Sequence, residues 1–202
     1  MSHYFTNDES LSHDERQINY EIKGVKFTLT TDSGVFSKSE LDEGSKLLIE
    51  TLISLPLGKK LLDLGCGYGP IGLSLAKLCP SLDEVICSDV NTRALALCMR
   101  NANTLALSHR VTCLQSDIYV EIEGQFDSIV SNPPIRAGKK VTYAIYIGAK
   151  DHLIDGGSLY IVIRKKQGAP SAMKFLEQEF GNVEILAKKK GFYVLRAIKK
   201  VN

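Results

Sequence analysis

The chain is short of several things, and each shortage removes a class of function. No apolar run approaches the roughly 18 residues that span a bilayer, so a membrane protein is not expected. The amino terminus, M-S-H-Y-F-T-N-D-E, has no basic segment followed by an apolar one, which leaves a cytoplasmic location as the expectation. Five cysteines (Cys66, Cys79, Cys87, Cys98, Cys113) are odd in number and form no C-x-x-C pair, so neither a disulfide framework nor a metal site is expected. Internal repeats and low-complexity segments are missing too. Net charge is only +2, but it is unevenly spread: residues 1–100 hold 10 Lys and Arg against 14 Asp and Glu, and residues 101–202 hold 15 against 9. A basic second half permits nucleic-acid binding without requiring it. What remains, 202 residues with 44% hydrophobic and 24% charged, is the composition of one globular domain with a full core.

Residues 1–17 are polar and acidic and form an expected flexible terminus; residues 18–202 form the expected single domain. From Ile18 to Leu29 apolar residues alternate on both sides of Lys23-Gly24, which predicts a β-hairpin. Thr30 to Ser37 reads as a loop, and a helix is predicted from Ser39–Asp42 to about Leu55. Gly44 is out of place near that helix start, where glycine is about 1 kcal/mol worse than alanine; close approach of a ligand or another backbone would explain it. Strands are predicted at Leu61–Leu64, Val85–Val90, Val111–Leu114, Phe126–Val130 and Leu159–Ile163. Helices alternate with them, at Ile71–Leu78, Arg93–Leu107, Val141–Ile154 and Ala172–Phe180, with Asp155-Gly156-Gly157 as a turn. Val183–Leu186 and Phe192–Ile198, joined by Lys188-Lys189-Lys190-Gly191, close the chain as an antiparallel hairpin. The expected fold is α/β: a Rossmann-like three-layer αβα sandwich around a mostly parallel seven-stranded sheet.

Two stretches carry chemistry. The first, Leu61 to Leu75, runs strand, glycine turn, helix, the form in which α/β folds hold a nucleotide-like ligand at the strand's carboxyl end. Its glycines are Gly65, Gly67 and Gly69, followed by Pro70. Counted from Gly65, a dinucleotide fingerprint would need glycine at position 70, which is Pro70. The turn binds a cofactor or is a packing turn; its spacing alone leaves both open. Asp89 stands 24 positions after Gly65, where a carboxylate accepts ribose hydroxyl bonds, or where it caps a helix begun at Asn91 or Thr92. Asp117 meets an adenine amino group or caps a turn; Val90 and Ile118 are counted with their neighbours. Cys66, inside the turn, could touch the ligand but shows no sign of being a nucleophile.

The second stretch is S-N-P-P-I-R-A-G-K-K, Ser131 to Lys140. Adjacent prolines lack N–H groups and push the preceding residues into extended geometry, giving a stiff turn with outward carbonyls. A planar amine has a delocalised, weakly nucleophilic lone pair. The Asn132 side-chain oxygen and the Pro133 carbonyl could hold its two N–H bonds and direct the nitrogen for displacement.

Asp63 to Gly69, Asp89, Asp117 and Asn132-Pro133-Pro134-Ile135 together resemble the class I S-adenosylmethionine-dependent methyltransferases that modify exocyclic or amide nitrogen. Gly34 to Ser37, Leu41-Asp42-x-Gly44-Ser45, Asn132 to Gly138 and Gly156-Gly157 are similar to the catalytic domain of ribosomal-RNA guanine 2-amino methyltransferases. Lys166 to Ala169 and Phe180 to Glu184 resemble its stand-alone, single-domain members, and the likeness runs from about Tyr20 to the end. It implies S-adenosylmethionine as cofactor, with S-adenosylhomocysteine as product, held by Phe36, Asp42, Gly44, Asp63, Gly65, Cys66, Gly67, Gly69, Asp89, Val90, Asp117, Ile118 and Asn132. Phe36 to Ser45 would close over the cofactor, within a 18–58 hairpin-and-helix cover on a 59–202 core. Asn132, Pro133, Pro134 and Ile135 would form the catalytic turn. Arg136, Lys139, Lys140, Arg164 and Lys165, with Lys166, would contact RNA, either free ribosomal RNA or a ribosomal particle. Ile135 departs from the Tyr or Phe that stacks on the target in adenine and glutamine amino methyltransferases. The second, degenerate copy of the two-domain relatives does not fit in this length. A protein glutamine methyltransferase, an NAD-dependent oxidoreductase and a silent cofactor-binding partner are the alternatives.

Overall fold

The computed structural model describes residues 14–32, 40–134 and 138–201. It opens with the hairpin β1 (Arg16–Ile22) and β2 (Val25–Thr31), paired antiparallel with Ile22 opposite Val25. Lys23 and Gly24 both take positive φ, 50° and 80°, the geometry that matches the twist of the flanking strands in a two-residue turn. The alternation works as expected: Ile18, Ile22, Phe27 and Leu29 are buried. Polar contacts fix the hairpin's place. The Tyr20 hydroxyl meets Ser74 Oγ at 2.8 Å, and the buried Asn101 amide bridges the backbone of Thr30 and Tyr68. Asp32, at the end of β2, pairs with Arg93 at 2.7 Å.

The remaining elements are α1 (Glu43–Leu52), β3 (Lys60–Leu64), α2 (Pro70–Leu78), β4 (Glu84–Asp89), α3 (Thr92–Thr104), β5 (Val111–Gln115), β6 (Phe126–Ser131), α4 (Lys139–His152), β7 (Leu153–Arg164), α5 (Ala169–Phe180), β8 (Glu184–Lys189) and β9 (Phe192–Ile198). Seven strands form one sheet in the order β5-β4-β3-β6-β7-β9-β8. Neighbours pair in parallel from β5 to β7, and β9 lies antiparallel between β7 and β8. The hairpin turn is shorter than expected, Lys190-Gly191 with both φ positive, because Lys188 and Lys189 pair with Tyr193 and Phe192 as part of β8. Leu159, Ile161 and Ile163 enter one core with α4 and α5, while Tyr160 and Val162 enter the other with α1, α2 and α3. Burial on both faces explains why such strands read as continuous apolar runs.

Several boundaries differ from expectation. The helix α1 stops at Leu52, short of Leu55, because Leu55 precedes Pro56 and that position disfavours helical geometry. The Asp155-Gly156-Gly157 turn lies inside β7 as a bulge: Phe126 pairs with Leu153, yet Ser128 pairs with Ser158. A Cβ on Gly157 would lie 2.9 Å from the Ile154 carbonyl and 3.1 Å from those of Phe126 and Asp127, so only glycine fits this backbone crossing. Gly44 is explained by a side chain, not by a backbone: a Cβ there would lie 2.9 Å from the Phe192 ring. Among the described residues no helix is long and apolar enough to cross a membrane, and no group of three or more His, Cys, Asp or Glu could hold a metal ion.

The chain winds from β3 outward through β4 to β5, then returns to β6 on the other side of β3 and continues to β7. Strand order therefore reverses between β3 and β6. Ligands in open α/β sheets gather at the carboxyl ends of strands beside such a reversal.

Candidate active site

Both sequence motifs meet at that reversal. Gly65 and Cys66 leave β3 with their N–H groups on the Ser88 carbonyl, at 2.8 and 2.9 Å. Gly65, Gly67 and Gly69 take φ of 75°, 57° and 93°, a region that other residues adopt only with strain. A Cβ on Gly65 would meet nothing within 4 Å, so its outer side is open to a ligand. Gly69 serves packing instead, since its Cβ would lie 2.6 Å from Cys98 Sγ. Pro70 is the first residue of α2, one position before the expected start, where its missing N–H costs nothing. The Cys66 side chain turns inward against Cys87 and Cys98, and burial pushes its thiol well above the ordinary range. The Cys66 carbonyl is engaged as well, accepting the Gly69 N–H at 3.0 Å.

Gly72 was not singled out by spacing, yet it completes the turn. A Cβ there would lie 2.6 Å from Cys87 Sγ and 2.9 Å from Asp63 Oδ2. Gly67, Gly69 and Gly72 thus form a G-x-G-x-x-G one step beyond the count begun at Gly65, and Gly72 has that pattern's third role, close helix–strand packing. Pro70 consequently does not by itself exclude a dinucleotide.

Asp63, on β3, is fully buried beneath α2. Its Oδ2 accepts the Gly72 N–H at 2.7 Å, while Oδ1 has no partner among the described residues. Burial raises its pKa to about 7, opposed by the Gly72 N–H and helped by the nearby Asp89 charge. A cationic group or a water near the turn would satisfy the orphan oxygen. Asp89 ends β4 with Oδ2 on the Gly67 N–H (2.8 Å) and Oδ1 on the Asn91 N–H (2.9 Å). Asn91, not Asp89, caps α3. The Asp89 carboxylate therefore braces the glycine turn and is still 9% exposed, with lone pairs left for a ribose.

Beside Asp89 lies a cavity of about 410 Å³ lined by Val90, Leu114, Gln115, Ser116, Asp117, Val120 and Glu121. Val90 and Asp117 were expected there. Ile118 packs on the core instead, and Leu114, Val120 and Glu121 had no signal in the sequence beyond their nearness to the end of β5. Apolar walls with a carboxylate or two at the rim suit a flat, amino-bearing ring.

Across the reversal, Ser131 Oγ binds the Leu64 carbonyl at 2.8 Å, which ties the end of β6 to the end of β3. Asn132 follows, half-buried, then Pro133 and Pro134. The Asn132 amide nitrogen lies 3.2 Å from Asp42 Oδ1 and 3.1 Å from Ser45 Oγ. Asp42 is the N-cap of α1, and the same oxygen accepts the N–H groups of Gly44 and Ser45, each at 3.0 Å. The start of α1 thus sits against the Asn132 turn. Ser45 was expected only as part of the segment over the cofactor; its contact with Asn132 was not, because no spacing links residues 87 positions apart.

The expected substrate residues fall into two groups. Lys139 and Lys140 are exposed in the first turn of α4. Arg164 ends β7 and lies over the Phe192 ring at 4.5 Å from its centroid, the same ring that packs on Gly44. Lys165 and Lys166 follow, exposed, and the Lys165 N–H reaches the Gly191 carbonyl at 2.9 Å. Phe36, Ile135 and Arg136 lie outside the described residues.

Comparison with known proteins places this arrangement. The family model of the methyltransferase small domain matches residues 26–196. A Bacillus subtilis (strain 168) protein, the uncharacterized protein YbxB, is 44% identical over 200 residues, 98% of each chain. The ribosomal RNA small subunit methyltransferase C of Hamiltonella defensa is 37% identical over 183 residues, 88% of this chain and 52% of that protein. Among solved structures, the T. thermophilus 16S rRNA N2 G1207 methyltransferase (RsmC), in complex with AdoMet and guanosine, superposes with a TM-score of 0.81 at 29% identity, covering 92% of this chain and 51% of that one. The chain spans about half the length of these RNA-modifying relatives. With the glycine turn, Asp89 and the Asn132 turn gathered at one strand reversal, and with the family model matching most of its length, the chain belongs to the methyltransferase small-domain family.

Proposed function

We propose that the protein transfers a methyl group from S-adenosylmethionine to the exocyclic amino group of a guanine in small-subunit ribosomal RNA. The observation that carries this reading is the seam between β3 and β6, where Ser131 holds the Asn132 turn against the strand that ends in the glycine turn. The relatives named as small-subunit ribosomal RNA methyltransferases, and the neighbour bound to AdoMet and guanosine, support the donor and the class of acceptor.

The residues present fit the donor. Gly65 leaves an open approach, Asp63 keeps a buried oxygen with no partner among the described residues, Asp89 has lone pairs facing the turn, and the Val90–Glu121 cavity has the chemistry for an adenine. Bound there, S-adenosylmethionine supplies an electrophilic methyl group on a sulfonium. The chain's own task is positioning: the Asn132 oxygen and the Pro133 carbonyl accept the two N–H bonds of the acceptor amine and aim its lone pair. The proton is shed once the nitrogen is cationic, so no buried base is required.

RNA is the favoured acceptor on electrostatic grounds. Lys139 and Lys140 place cations at the positive end of α4, which is unfavourable unless an anion is near. Arg164, Lys165 and Lys166 flank the other side of the turn, and the β8–β9 hairpin brings Lys189 and Lys190 beside α1, paired with Glu50 and Glu43. A phosphate backbone satisfies such a rim.

The reading is tested by incubating the protein with labelled S-adenosylmethionine and fractionated cell RNA and protein, then digesting the RNA to nucleosides. Label in N2-methylguanosine from the small subunit is expected. Label in protein glutamine or in methyladenosine overturns it.

A further inference from the structure

We propose that Asp42 and Ser45 are positioning residues that fix which end of the Asn132 amide faces the substrate. A carboxylate can only accept hydrogen bonds. The group 3.2 Å from Asp42 Oδ1 must therefore be the amide nitrogen of Asn132, not its oxygen. The second amide proton goes to Ser45 Oγ at 3.1 Å. Both N–H bonds are then engaged by the first turn of α1, and Oδ1 is turned the opposite way. Asn132 is otherwise an ambivalent side chain, able to present a donor or an acceptor. The clamp removes the ambiguity, so the site offers an oxygen and accepts a hydrogen-bond donor such as an amine.

The device is built on a helix cap. Asp42 Oδ1 already accepts the N–H groups of Gly44 and Ser45, so its position is set by α1 itself, and Asn132 takes its orientation from that helix. A Cβ on Gly44 would crowd both Phe192, at 2.9 Å, and Asp42 Oδ1 itself, at 3.1 Å. Asp42 thus gains a role distinct from closing over the cofactor.

This inference rests on Asn132 acting on the substrate, and its test separates the two. In ligand-free protein labelled with ¹⁵N, the side-chain amide pair of Asn132 is identified by its loss in Asn132→Ala. Ser45→Ala is expected to move that pair and speed its exchange with water, and Asp42→Asn to move it further by removing the charge. An unmoved pair in both variants overturns the clamp, whatever the protein methylates. Turnover is then followed in a double-mutant cycle. Ser45→Ala is expected to lower kcat by about ten-fold, the loss of one oriented hydrogen bond, with affinity for S-adenosylhomocysteine within about two-fold. In the Asn132→Ala background the same change should have no further effect. An equal loss in both backgrounds means that Ser45 acts without Asn132 and overturns the proposal. Wild-type protein that methylates no RNA, with the amide pair behaving as expected, overturns the proposed function and leaves the orientation standing.

Discussion

Asp89 uses both of its oxygens on the backbone, one on Gly67 and one on Asn91, so its removal acts twice. Asp89→Ala is expected to weaken S-adenosylmethionine and S-adenosylhomocysteine by about 1.5–3 kcal/mol through lost charge-assisted bonds, and to loosen the glycine turn as well. Calorimetry with both ligands checks this, and undiminished affinity would remove the ribose role. Asn132→Ala has the opposite signature: turnover down by about 100-fold or more, the scale of one oriented transition-state group, with cofactor affinity within a few-fold. Asp63 makes the ligand-free protein pH-sensitive. Burial raises its folded pKa to about 7, above the roughly 3.9 of an unfolded aspartate, so the folded state binds the proton more tightly. Its contribution to stability is complete below about pH 4 and is lost as pH rises through about 7. Urea midpoints of the ligand-free protein should fall between about pH 4 and 7, and Asp63→Asn should flatten that fall; a slope unchanged in the variant would mean the carboxylate is partnered. The carboxylates at 63 and 89 were singled out by their places beside the glycine turn, but the orphan oxygen of Asp63 was not, because a hydrogen-bond partner is chosen by packing.

At the scale of elements, glycines in the first turns of α1 and α2 let helix and strand approach, Gly44 against Phe192 and Gly72 against Cys87. Gly72 lets α2 settle on β3 and β4. Gly72→Ala forces a methyl to within 2.6 Å of Cys87 Sγ, an overpacking expected to lower stability by about 1–3 kcal/mol. Cys87→Ala should recover much of it, so the double variant will be more stable in urea than additivity allows. The Asp63 carboxylate, also too close at 2.9 Å, limits the recovery. Element types were legible wherever a period or a punctuating residue was strong: Lys23-Gly24, Gly65 to Pro70 and Lys190-Gly191 each mark a turn that the structure contains. The bulge in β7 was read as a turn between elements because Gly156-Gly157 looks the same in either setting. Only the pairing with β6 distinguishes them.

For the whole molecule, the decisive feature is the reversal of strand order between β3 and β6, which puts two motifs 67 residues apart in chain onto adjacent strand ends. The basic second half of the chain borders that edge through α4, the end of β7 and the β8–β9 turn. Arg136→Ala with Lys139→Ala is expected to weaken RNA binding and to flatten its dependence on salt by about two phosphate contacts, with cofactor affinity unchanged. Affinity measured against salt concentration for wild type and double variant checks it; parallel lines would mean that neither residue touches phosphate, and a protein substrate would then move forward.

The amino-acid sequence by itself determined the order of strands and helices, the glycine turn, and the stiffness of the Asn132-Pro133-Pro134 turn, because these follow from local periodicity, from φ preferences and from the missing N–H of proline. It also marked Asp89 and Asn132 as the groups to watch. Tertiary structure alone decided that Asp42 and Ser45 grip Asn132 across 90 and 87 positions, that Gly44 answers to Phe192, and that Gly72 answers to Cys87. Those contacts join segments whose spacing in the chain carries no information about their distance in space. Strand order and side-chain packing set that distance, and both depend on every element being in place at once.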